Sequence, residues 1–87
     1  MSNILAIDTT TTALNVVLIK DDEVFSVSKE LGKSGHSANL MPCIDDLLSS
    51  NGVDISDIDT VCAVVGPGSF TGIRIGVSAM TAIAFAN

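Results

Sequence analysis

The residues most suited to chemistry are Asp8 and the four threonines that follow it, Thr9 to Thr12. A carboxylate beside a row of hydroxyls is the oxygen-rich set that Mg2+ and phosphate groups use. One carboxylate is not a metal site, and in the plainer reading Asp8 caps a hairpin while the threonines satisfy backbone groups. His36 is the sole histidine. A zinc peptidase helix needs a second histidine four positions on, and position 40 is leucine.

The second chemical stretch is Gly66-Pro67-Gly68-Ser69-Phe70-Thr71-Gly72-Ile73-Arg74-Ile75-Gly76. It lies between an apolar β-branched run, Val61 to Val65, and a proline-free apolar segment, Ile73 to Ala86. It therefore reads as a strand-to-helix turn. Gly66, Gly68 and Gly72 permit positive φ or close backbone approach, and Ser69 and Thr71 are the candidate helix caps. Free N–H groups at such a turn can hold an anion. Asp8, Thr9, Gly66, Gly68, Ser69, Thr71 and Gly72 are thus the candidate nucleotide or phosphate turn. A Walker loop needs lysine after its last glycine, and here Ile73 follows Gly72. A nucleophile elbow needs glycines two residues either side of the serine, where Ser69 has Pro67 and Thr71. A dinucleotide fingerprint would need an acidic residue about 20 positions further on.

Elements must position these residues. Ile4–Ile7 reads as a first strand, Ala13–Ile19 as a second, and Val24–Ser28 alternates as a third with one wet face. Short connections make them an antiparallel meander. Leu40, Met41, Ile44, Leu47 and Leu48 recur at helical spacing, with Ser37 as the expected cap, Pro42 inside and Asn51-Gly52 as the stop. Thr60–Val65 is a fourth strand, reached through that helix and so parallel to the first. The first and fourth strands are apolar enough to be covered on both faces. The order is βββαβα, an α/β chain with a mixed sheet, as in the opening of an RNase H-like or actin-like lobe.

The chain has 87 residues, 47% of them hydrophobic but only 3% aromatic, so its core must be aliphatic. Net charge is −6, and the four cations Lys20, Lys29, Lys33 and Arg74 are scattered. That argues against direct grip on a phosphate backbone. Cys43 and Cys62 lack redox or zinc spacing and read as reduced, buried thiols. No run reaches the roughly 18 apolar residues that span a bilayer, and the N-terminus has no leader pattern, so a cytoplasmic location is expected. The last helix is apolar all round, the mark of an association surface.

The stretch Gly66–Gly76 resembles the signature of the YeaZ/TsaB family. Ile4-Leu5-Ala6-Ile7-Asp8-Thr9 is similar to that family's opening strand, and His36-Ser37 with Leu40-Met41-Pro42-Cys43-Ile44-Asp45 to its first helix. The resemblance implies that residues 1–87 form the N-terminal actin-like lobe, truncated, with the second lobe absent. It implies a non-catalytic partner in forming threonylcarbamoyladenosine at position 37 of ANN-decoding tRNAs, acting on a TsaD-type catalytic subunit with a TsaE-type ATPase. It also implies a homodimer when alone, tRNA contact only through partners, and no cofactor, metal or catalytic residue on this chain, with ATP and Mg2+ belonging to the complex. Leu40, Ile44, Leu47, Val77, Met80 and Ala84 are the implied interface residues. The alternative is an actin-like ATP-binding enzyme using Asp8 and the Gly66–Gly72 turn.

Overall fold

The computed structural model describes residues 2–32 and 35–86. In chain order the elements are β1 (Asn3–Asp8), β2 (Ala13–Lys20), β3 (Glu23–Glu30), α1 (His36–Ser50), a short 3-10 turn (Ile55–Asp57), β4 (Thr60–Ala63) and α2 (Phe70–Ala86). They form one four-stranded sheet in the order β3-β2-β1-β4. β1 pairs antiparallel with β2, with Ile7 opposite Val16. β2 pairs antiparallel with β3 across a two-residue turn in which Asp21 adopts φ +55°. β4 pairs parallel with β1, with Leu5 opposite Val61. The expected mixed sheet is therefore present.

Period-two alternation decides which side chains meet the helices. Leu5 and Ile7 of β1, and Leu14, Val16 and Leu18 of β2, point to one face and are buried there. Leu40, Cys43, Ile44 and Leu48 of α1, with Met80 and Ile83 of α2, close that core. Each fully buried leucine or isoleucine contributes about 1.5–3 kcal/mol relative to exposure.

Both helices lie against this one face, which corrects the expectation that β1 and β4 are covered on both sides. Ile4, Ala6, Val17 and Ile19 on the other face are only partly buried, and Val24 there is 66% exposed. Cys62, expected inside, is exposed for the same reason, whereas Cys43 is buried under α1. β4 also stops at Ala63, short of Val65, although the Val64 amide still donates to the Ile7 carbonyl oxygen at 3.0 Å.

The helix limits also differ from expectation. α1 begins at His36 with Gly35 as its cap residue, so Ser37 already lies inside the first turn. Pro42 sits within α1, and Gly52 after its end has φ +68°, the left-handed stop that the sequence implied. α2 starts at Phe70, as a cap at Ser69 implies. Of its two candidate caps Ser69 serves: its Oγ accepts from the Gly72 amide at 3.1 Å, while Thr71 is helical.

Candidate functional site

The threonine turn after β1 and the glycine turn before α2 clasp each other. The Ser69 amide donates to the Thr10 carbonyl oxygen at 2.8 Å, and the Thr9 hydroxyl donates to the Gly72 carbonyl oxygen. Gly68 has φ +157°, and a β-carbon there would lie 2.6 Å from Thr10 atoms. A β-carbon on Gly72 would overlap the Thr9 carbonyl group outright. These two glycines therefore exist to let backbone meet backbone. Gly66, at φ +144°, meets only ordinary contact with Ile73.

Asp8 is spent locally. Its Oδ1 accepts from the Thr10 amide at 2.9 Å and from the Thr10 hydroxyl at 2.6 Å, closing a turn of the Asx type. The capping role weighed for Asp8 is thus the one its geometry displays.

Around this clasp lies a hollow of about 460 Å³, walled by Thr9 to Thr12 on one side, by Gly35, His36 and Ser37 at the start of α1, and by Ser69, Thr71 and Gly72 at the start of α2. Asp8, Gly66 and Gly68 do not line it, so the seven residues of the candidate phosphate turn are not all brought together. The hollow is rich in hydroxyls and has two helix starts on its wall. An anion is the ligand such a wall suits chemically. Among the described residues no three His, Cys, Asp or Glu side chains converge as a metal centre. His36 is buried, and its Nε2 is enclosed without a hydrogen-bond partner among the described residues. The sequence marked His36 as a helix-entry residue but gave no sign of that burial.

The expected interface residues divide by location. Leu40 (2% exposed), Ile44 (0%) and Met80 (5%) are core residues that hold α1 and α2 on the sheet. As interface candidates Ile44 and Met80 therefore offer a partner almost no surface, while Leu40 also edges a groove between α1 and α2. Leu47 lines a separate hollow with Val27 and Lys29 over β3. Ala84 lines another with Ile58 and Val61 beside β4. Val77 is 41% exposed on α2. What sequence reasoning missed is the groove between the two helices, about 400 Å³, with Ser37 and Met41 from α1 facing Thr71, Arg74 and Ser78 from α2. Met41 is 45% exposed, and the Arg74 guanidinium lies over the ring of Phe70, 5.8 Å from its centroid. The helical spacing counted Met41 with the apolar stripe of α1, whereas its side chain is exposed beside the buried set. Among the described residues no helix is long and apolar enough to cross a membrane.

The family model for TsaD, the tRNA N6-adenosine threonylcarbamoyltransferase, matches residues 24–87. The TsaB protein of Haemophilus influenzae, a tRNA threonylcarbamoyladenosine biosynthesis protein, is 35% identical over 82 residues, covering 94% of this chain and 34% of that protein. The TsaB protein of Escherichia coli is 42% identical over 74 residues, covering 85% of this chain and 32% of that one. The structure of YeaZ from Pseudomonas aeruginosa superimposes with a TM-score of 0.93 at 37% identity, covering 99% of this chain and 40% of that chain. This chain thus spans about a third of the length of the curated relatives it matches. On these matches, and on a sheet and helix pair that superimpose almost throughout, the chain belongs to the YeaZ/TsaB family, within the actin-like fold shared with the TsaD type.

Proposed function

We propose that this chain acts in tRNA threonylcarbamoyladenosine biosynthesis as a non-catalytic partner that binds and activates a TsaD-type transferase. The observation that carries the reading is the outer surface of α1 and α2. Met41, 45% exposed, lines the groove between the helices, and Phe70 and Val77 of α2 are large apolar side chains exposed at 73% and 41%. Exposed apolar surface of this kind supports association. The clasped turn also suits a scaffold: its glycines and Asp8 are engaged in intrachain contacts.

In the same proposal a TsaE-type ATPase joins the pair, the chain pairs with itself when alone, and tRNA is gripped by the partner. A net charge of −6 supports that last division of labour. ATP and Mg2+ would then belong to the assembled complex, in the cytoplasm.

The test is light scattering after size-exclusion chromatography, on this chain alone and with a TsaD-type transferase. A one-to-one complex that Met41→Asp weakens is the expected result. A transferase that elutes unchanged beside this chain would overturn the reading.

A further inference from the structure

We propose that Asn51-Gly52, at the end of α1, is a self-modifying site: the Asn51 side-chain amide is lost through a cyclic imide when that end of the helix opens. The inference is independent of the partner reading above.

Sequence supplies the reactants. Asparagine is among the chemically labile residues, because the backbone nitrogen of the next residue can attack its side-chain carbonyl carbon. Glycine in that next position puts no side chain in the way. Gly52 is exposed, and a β-carbon built on it would meet nothing within 4 Å. In the step, the Gly52 nitrogen gives up its proton to water and bonds to Asn51 Cγ. The Cγ–Nδ2 bond breaks, and Nδ2 takes up a proton and leaves as ammonia. Water then opens the imide at either carbonyl. One opening leaves aspartate at position 51, and the other leaves isoaspartate, in which the main chain runs through the former side chain.

The fold holds each reacting group in place. The Gly52 N–H donates to the Ser49 carbonyl oxygen at 3.2 Å and the Val53 N–H to the Leu48 carbonyl oxygen at 3.0 Å, the paired bonds of a Schellman stop. Val53 and Leu48 are both buried, which anchors that stop in the core. The leaving nitrogen, Nδ2, donates to the Leu47 carbonyl oxygen at 2.8 Å. The Asn51 carbonyl oxygen belongs to the same peptide group as the attacking nitrogen, and it accepts from the Lys20 ammonium of β2 at 3.0 Å. These bonds fix attacker and leaving group alike, so reaction is confined to the moments when the last turn of α1 frays.

The product does not refit the site. A carboxylate only accepts, so the Leu47 carbonyl oxygen loses its donor. The new charge sits at the negative end of the helix dipole, on a chain already at −6 and with no basic residue in the last turn of α1. Isoaspartate also lengthens the main chain ahead of Gly52 and displaces Val53 from its place in the stop. Modification thus loosens the end of α1, and refolding does not reverse it.

The experiment ages the purified chain at neutral pH, folded and in denaturing urea, and maps position 51 by peptide mass spectrometry with isoaspartate separated from aspartate. The expected result is a mixture of both products in each state, formed about tenfold or more slowly in the folded chain. Lys20→Met removes the bond to the Asn51 carbonyl oxygen and should speed the folded reaction about threefold while leaving the rate in urea unchanged. In that variant amide exchange should quicken at Gly52 and Val53 and stay unchanged at Val16 in the core, the mark of a local opening. An unmodified Asn51 in urea, equal rates in the two states, or aspartate without isoaspartate overturns the inference. So does a Lys20→Met chain that reacts no faster than wild type, or one whose exchange quickens at Val16 as much as at Gly52.

Discussion

Thr9 and Gly72, 63 positions apart in sequence, are joined so closely that the Thr9 hydroxyl donates to the Gly72 carbonyl oxygen inside the fold. The Thr9 carbonyl occupies the space where any side chain on residue 72 would begin. This contact fixes the start of α2 against the end of β1. It therefore sets the position of Arg74, half a turn further along the helix, relative to the sheet.

That relationship gives the first prediction. Gly72→Ala forces the helix start away from the turn, and overpacking against backbone costs about 3 kcal/mol or more, since neither chain can rotate aside. Thr9→Val keeps the volume and removes the donor, at about 1–2 kcal/mol. Thr9→Ser retains the hydroxyl and should cost less than Thr9→Val. Urea unfolding of the three variants measures this order, and a Gly72→Ala midpoint equal to wild type would refute the clasp.

The division between core and surface on the helices gives the second. Ile44→Ala empties a fully buried site and should lose about 2–5 kcal/mol. Met41→Asp, three positions earlier on the exposed side, should leave stability within about 0.5 kcal/mol while weakening association with a TsaD-type transferase. Thermal melting and binding, measured on the same preparations, separate the two roles. Equal melting losses would mean that Met41 also belongs to the core.

Much of this was legible from pattern. The β-rich run Ala13–Ile19, the alternation in Val24–Ser28 and the helical spacing in Leu40–Leu48 name the elements. The parallel pairing of β4 with β1 follows from the crossover between them. What pattern does not carry is which neighbours fill each face. Val61 to Val65 reads as doubly buried, yet Cys62 is exposed because both helices choose the opposite side. Leu40, Ile44 and Met80 were apolar enough for either a core or a partner, and only packing tells these apart. The Thr9–Gly72 contact was out of reach for a similar reason: nothing local to either residue names the other.

Acidic pH supplies a third prediction, at the short turn before β4. The Ser56 backbone amide and then its hydroxyl, both donating to the Asp54 carboxylate, lower its pKa below the ordinary aspartate value. The Asp57 carboxylate in turn accepts from the Asp54 amide, so the turn is closed from both sides. A depressed pKa in the folded state means that this stabilisation is present above the unfolded value of 3.8 and is lost as pH falls through the folded pKa. Protection of the Ser56 amide against exchange, relative to its intrinsic rate at each pH, should fall below that range in the wild-type chain. In Asp54→Ala it should be low at neutral pH as well and show no such transition.

The buried imidazole of His36 gives the last prediction. Its Nε2 is enclosed with no partner among the described residues, at the first residue of α1. An unsatisfied buried polar atom costs about 1–3 kcal/mol, a cost that an apolar side chain of similar volume does not carry. Leucine is such a side chain, and it also favours the helix. His36→Leu should therefore raise the unfolding free energy by about 1 kcal/mol, measured by urea denaturation at neutral pH. His36→Ala, which removes the nitrogen but leaves a void, should be destabilising instead. A His36→Leu variant as unstable as His36→Ala would show that the imidazole's packing in the core outweighs its unpaired nitrogen.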